Sequence, residues 1–184
     1  MSIKFRGPED VVSSVLREID NRIRLRVMIL GPGKEGGKIY EKRCEIRERI
    51  KSLGHVADFC EDVWKPRVLA SSGLNLAVAE FLQARAYDYI VCLMDSPGAI
   101  GEVHDFARDK KIAHKMLICL DKKHKKGYSA QGVIRIFEGR NGKMDWFKNP
   151  TDLTSCHLAG RVTTQIKKLA EAEQWELAVK EELS

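Results

Sequence analysis

Two acids seven positions apart, Asp95 and Glu102, flank the turn Ser96-Pro97-Gly98 and are the residues of this chain best placed for chemistry. An apolar strand delivers Asp95 at its tip, and Glu102 follows on the first turns of the next helix. A carboxylate in such a place can stabilise developing positive charge or form a covalent intermediate. Capping of a helix N-terminus would explain either acid singly. It explains less well why both surround one turn. The second candidate segment is Gly31-Pro32-Gly33-Lys34-Glu35-Gly36-Gly37, with four glycines in seven residues. Leading into a helix, it could present backbone N–H groups to an anion. It carries no GxxxxGK[ST], so the mononucleotide loop signature is absent, and a glycine-rich loop alone does not identify a dinucleotide site.

The elements that would position these loops are legible as apolar runs broken by turns. Leu25 to Leu30 is a buried strand stopped at Gly31-Pro32-Gly33. Lys38 to Leu53 reads as a charged helix closed by Gly54, and His55 to Phe59 as a second strand. Residues 60–72 show no clear period and read as a loop. Gly73 to Ala86 returns to helical spacing, Tyr87 to Met94 is a third strand, and a helix begins at once through Glu102, Phe106 and Ala107. Ala113 to Leu120 is a fourth strand and Val133 to Phe137 a fifth, with Trp146 and Phe147 covering the sheet edge after it. An N-terminal helix over about 8–22 and a C-terminal helical segment over about 153–183, as one helix or two, complete the chain.

Alternating strands and helices with continuous apolar strands predict an α/β fold, a doubly wound, parallel five-stranded sheet with helices on both faces. Right-handed crossovers leave few topologies, and the Rossmann- or flavodoxin-like order 2-1-3-4-5 is the expectation. Ligands in such sheets bind beyond the carboxyl ends of the strands, where strand order reverses. That point lies between strands one and three, and the two glycine-marked loops follow those two strands. No repeat or linker interrupts residues 1–184, which reads as one domain.

Composition agrees with a folded chain: 43% hydrophobic, 32% charged, and 19 of 184 residues Pro or Gly. No run approaches the roughly 20 apolar residues that span a bilayer. Without an apolar signal core at its start, the chain is expected in the cytoplasm, off the membrane. The net charge of +6 is local, because residues 108–126 hold eight Lys or Arg against two Asp while the remainder carries 24 of each sign. Nucleic acid is therefore not the expected partner, and the run Lys122-Lys123-His124-Lys125-Lys126 reads as a solvated loop. Five scattered cysteines without CxxC spacing predict structural thiols, no metal ligands and no cofactor. Trp64 reads as a core anchor, with stacking on a base as its alternative. His104 reads as an ordinary histidine, and Asn75 and Glu80 reach the crevice only at its rim.

The string DSPGAIGEVHDFA resembles the D-x-G-x-x-x-E-x-x-x-A segment of nucleoside 2-deoxyribosyltransferases, and VMILGPG is similar to their strand-one element. Variants of SPGxxxE also occur in TIR-like and SLOG-type domains of similar build. The resemblance covers about residues 24–120. It implies that Glu102 attacks or stabilises the anomeric carbon of an N-ribosyl bond. Asp95 would contact base or sugar, while Gly31, Pro32 and Gly33, with Ser96, Pro97 and Gly98, shape the pocket. The spacing from Asp95 to Glu102 is one residue longer than the transferase pattern. The transferases' late asparagine, lent by a neighbouring subunit, has candidates in Asn141 and Asn149, so a homo-oligomer is possible. The expected partner is a small-molecule nucleoside, nucleotide or NAD-like compound, acted on by hydrolysis or transfer. The alternative is a non-catalytic sensor of a nucleotide signal.

Overall fold

Along the central strands, consecutive side chains point to opposite sides of the sheet and enter two different cores. In the computed structural model, which describes residues 7–10 and 23–182, the strands are β1 (Arg26–Leu30), β2 (Val56–Phe59), β3 (Tyr89–Leu93), β4 (Met116–Asp121) and β5 (Lys143–Phe147). All pairings are parallel and the order is β2-β1-β3-β4-β5, as expected. Val27, Ile29, Val91, Leu93, Leu117 and Cys119 face one core. Met28, Leu30, Ile90, Cys92, Ile118 and Leu120 face the other.

The helices are α1 (Lys38–Ser52), α2 (Pro66–Ser72), α3 (Leu76–Ala86), α4 (Pro97–Phe106), α5 (Val133–Glu138) and α6 (His157–Glu182), with single helical turns between them. Ile39, Ile46 and Ile50 of α1 join Leu158, Val162 and Ile166 of α6 on the first face. Val103 and Phe106 of α4 and Ile134 and Phe137 of α5 cover the second. Burying an aliphatic side chain of this kind contributes about 1.5–3 kcal/mol. The two layers therefore hold the carboxyl edge of the sheet in place for the loops that follow it.

Three readings of the sequence need correction. The predicted fifth strand, Val133 to Phe137, is helix α5. Val133, Ile134 and Phe137 are buried while Ile136 is 51% exposed, a helical stripe that the β-branched residues disguised. The true fifth strand is Lys143–Phe147, so Trp146 and Phe147 belong to it rather than cover it. As an edge strand it carries polar residues, and Arg161 of α6 pins its Asp145 at 2.8 and 2.9 Å. Residues 60–72 are not a loop but a helical turn, Cys60–Val63, followed by α2. Pro66 stands at the first turn of α2 and Gly73 closes it in left-handed conformation, the pairing of Pro at the start and Gly past the end that marks helices. The C-terminal segment is a turn, Thr151–Thr154, and the long α6. Pro8 to Asp10 is helical. The rest of the predicted helix over 8–22, and position 183, lie outside the described residues.

Candidate functional site

Helix α4 begins just as the turn chemistry requires. Ser96 is its N-cap, its Oγ accepting from the Ala99 N–H at 3.2 Å, and Pro97 occupies the first turn. At 100° per residue, Pro97 and Ile100 share one side of α4 and Glu102 lies on another, with Ala99, Val103 and Phe106 buried between. The two predicted acids are consequently dealt to different neighbourhoods.

Glu102 meets Cys60, just past β2, and Glu80 of α3. One ligand-type atom from each of the three lies within 4.8 Å of the others. The Cys60 thiol donates to Glu80 Oε1 at 3.5 Å and to Gln83 Oε1 at 3.3 Å. Burial, reinforced by the Glu80 charge and then by Glu61, pushes the Glu102 carboxyl up to about 8 despite an opposing pull from Arg43. Burial also raises Glu80, with Glu61 adding to it and the thiol hydrogen bond working against it. The Cys60 thiol is pushed up by burial and by the neighbouring glutamates, so it is a neutral donor and not a thiolate nucleophile. At neutral pH the cluster therefore holds at least one carboxyl proton, the arrangement of two acids that cannot both ionise cheaply. A thiol and two carboxylates are also metal-ligand types, though tetrahedral zinc would need a further ligand.

Asp95 lies instead in a groove of about 400 Å³ between the ends of β3 and β4. Met94, Pro97, Ile100 and Leu120 form its apolar walls, and Ser96, His124 and Tyr128 rim it. His124 Nε2 stands 4.0 Å from Asp95 Oδ1. Tyr128 is 86% exposed and stacks on His104 with ring centroids 6.5 Å apart and planes 8° from parallel. Glu102 is not among the residues lining this groove.

The first loop is braced from beneath. Arg43 of α1 is fully buried and donates to the carbonyls of Ile29 (2.8 Å), Gly31 (3.0 Å) and Pro32 (2.9 Å). Its guanidinium pairs with both oxygens of Glu61 at 2.8 and 2.9 Å and lies 4.2 Å from the Phe59 ring centroid. Gly31 has φ +143°, and a Cβ there would come within 3.0 Å of Arg43 Cδ and of the Leu93 carbonyl oxygen. At Gly33 a Cβ would meet only the flexible Glu35 carboxylate, at 2.9 Å. Of the predicted loop glycines, Gly31 alone is fixed by both backbone and neighbours.

The structure thus puts Gly31, Pro32 and Gly33 at the end of β1, and Asp95 and Ser96 to Gly98 at the end of β3, while it parts Asp95 from Glu102. Sequence reading kept Glu80 at the rim, whereas it stands in the glutamate cluster. It overlooked Cys60 and Arg43. Cys60 lay in the segment mistaken for a loop, and Arg43 was one cation among many on a charged helix. Trp64 is partly buried and packs against the second core, as the anchor reading has it. Asn75 caps α3 through its side chain. Asn149 follows β5 at the carboxyl edge, and Asn141 precedes β5 at the other. Lys123 pairs with Asp121 at 3.4 Å, and Lys125 lies 5.9 Å from the Trp146 ring centroid.

The family model described as STM3845 retron effector protein matches residues 41–182, which include Arg43, Cys60, Glu80, Asp95 and Glu102. The chain belongs to that family. No curated protein matches it. In this retron effector family member, no helix among the described residues is long and apolar enough to cross a membrane.

Proposed function

We propose that the chain cleaves the N-glycosidic bond of a nucleoside, nucleotide or NAD-like compound, with Glu102 as the catalytic carboxyl and without a cofactor. The observation that carries this reading is the Cys60–Glu80–Glu102 cluster at the carboxyl edge of the sheet, with Glu102 pushed up to about 8. A carboxyl that keeps its proton at neutral pH is suited to general-acid work. As the C–N bond breaks, the Glu102 proton passes to the departing base nitrogen. The carboxylate that remains faces the oxocarbenium carbon and stabilises it. Water or an acceptor hydroxyl then adds to that carbon, and its proton returns to the glutamates. Asp95 serves to hold the substrate rather than to break the bond. The resemblance to nucleoside 2-deoxyribosyltransferases supports the same residue at the anomeric carbon, where it implies attack or stabilisation. Removal of a base from a cellular nucleotide is also an act that the word effector would cover.

A second reading is a nucleotide sensor without catalysis. The groove around Asp95 favours it, since a ligand seated there against Tyr128 need not touch Glu102. One experiment separates the two. The chain is incubated with a panel of nucleosides, nucleotides and NAD, and free base is read by chromatography. Release of base from a panel member, lost in Glu102→Gln, is the expected result. Ligand binding by calorimetry with every panel member recovered intact would give the sensor reading instead.

A further inference from the structure

Arg43 lies on the opposite side of the sheet from the glutamate cluster, yet its contacts tie together both segments beside it. Its guanidinium holds three carbonyls over Ile29 to Pro32, the stretch in which β1 becomes the first loop. The same group grips Glu61, the residue after Cys60, through two parallel hydrogen bonds. The two terminal nitrogens of a planar guanidinium can reach such a set and an ammonium cannot. A buried cation that only closed the α1 packing would need a partner for its charge but not three backbone carbonyls where β1 passes into the loop. We infer that Arg43 is a positioning residue for the candidate site, holding the first loop through its carbonyls and, through Glu61, the segment that sets Cys60 beside Glu102. The inference rests on the reading of Glu102 as the functional carboxyl.

The groups felt at Glu102 come from four elements. Glu80 of α3 and the Cys60 thiol after β2 lie beside it, the Cys92 thiol of β3 is a further neutral neighbour, and the charges of Glu61 after β2 and of Arg43 on α1 also reach it. Glu61 and Arg43 act on it with opposite sign. Neutralising Glu61 removes a repelling carboxylate and leaves the Arg43 charge uncompensated. Both changes favour the ionised form of Glu102.

The test uses Glu61→Gln, a change at a side chain that is half exposed, together with Arg43→Lys. Glu102 is titrated through its side-chain carboxyl carbon by NMR, and amide hydrogen exchange is measured at Gly31 and Gly33. In Glu61→Gln the Glu102 midpoint should move to lower pH by about half a pH unit or more, the scale of a nearby charge. In Arg43→Lys the charge stays while the fork is lost, so exchange of the loop amides should rise at least about tenfold, the mark of local opening. A Glu102 midpoint unmoved in Glu61→Gln overturns the inference, and that variant does not depend on Arg43→Lys folding. Arg43→Lys that lowers the melting temperature yet leaves loop exchange unchanged overturns it as well, because Arg43 would then be only packing. Neither readout requires turnover. Absence of base release by the wild type would remove the N-glycosidase reading and leave these two results standing.

Discussion

The two sides of helix α4 are built from opposite materials. Toward α3 the helix offers Glu102 to a second carboxyl, Glu80, and the Cys60 thiol, with the charges of Arg43 and Glu61 also felt there. Toward β4 it offers Pro97 and Ile100 to an open apolar groove whose acid, Asp95, has His124 Nε2 4.0 Å from its Oδ1. The first setting is costly for a charge, so it keeps protons and favours chemistry that moves them. The second is cheap to desolvate and flanked by an exposed ring, so it favours holding a flat ligand. One helical turn is enough to separate the two settings, because residues two apart on a helix, as Ile100 and Glu102 are, point to different sides.

The sharpest way to break this division is to neutralise each acid in turn. Glu102→Gln should lower base release at least about 10²-fold while substrate still binds, the usual loss when a key electrostatic group is removed. Asp95→Asn should act mainly on KM, by about tenfold, as the loss of one polar contact does. Steady-state kinetics with the released base as readout decide it. A larger loss of kcat at Asp95 than at Glu102 would reverse the assignment of the two sides.

Next in size is the contrast between two glycines of the first loop. Gly31→Val forces a side chain into a left-handed backbone and against the Leu93 carbonyl and Arg43. It should destabilise the fold by about 1–3 kcal/mol in denaturant titration, the range for strain of this kind. Gly33→Val should leave stability nearly unchanged, since only the mobile end of Glu35 stands in the way. Any effect of Gly33→Val on nucleotide affinity by calorimetry then reports contact with the ligand rather than damage to the loop.

A different effect concerns stability against pH. An unfolded glutamate ionises near 4.5, whereas folded Glu102 holds its proton to about 8. Between those values the unfolded chain has released a proton that the folded chain keeps. Stability from this group therefore falls as pH rises through that window. Glu102→Gln has no proton to lose. Its melting temperature should match the wild type near pH 4.5 and exceed it at pH 9. An equal gap at both pH values would mean that Glu102 is not held in an unfavourable setting for its charge.

How much of this could be read from the chain depends on which interactions were local. Strands β1, β3 and β4 were legible because both faces are buried and the runs are continuous, as in Tyr89–Leu93. The same rule failed for β5, an edge strand with Lys143 and Asp145, and was misled by Val133 to Phe137, where β-branched residues sit in a helix. The strand order followed from handedness and was right in full. Asp95 and Glu102 were found because the turn between them is local, but their parting was not seen, since it depends on the face of α4 that each occupies. Cys60, Glu80 and Arg43 come from three separate elements. Only packing brings Cys60 and Glu80 to Glu102 and Arg43 to Glu61, and no spacing in the sequence encodes it.

The smallest effect tests whether the charged loop belongs to either side of α4. Lys122, Lys123, Lys125 and Lys126 are exposed in the turn that follows β4, next to His124 and Gly127 of the groove. None of the four lines the groove itself. Lys123 is occupied with Asp121 and Lys125 lies over Trp146. Charges placed so can draw an anionic ligand toward the carboxyl edge of the sheet without fixing its geometry, and salt screens them over about 10 Å at 0.1 M. Replacing all four by Ser should leave the fold intact and spare uncharged nucleosides. Association of phosphorylated ligands should slow by a few-fold at low ionic strength, about the reach of steering by a partly screened patch, and the difference should vanish at high salt. Stopped-flow binding across a salt series measures it. Equal losses for charged and uncharged ligands would show that the turn touches the ligand directly and forms part of the Asp95 groove. Loss of a steeply salt-dependent affinity for single- or double-stranded nucleic acid would move this segment out of the small-molecule site altogether.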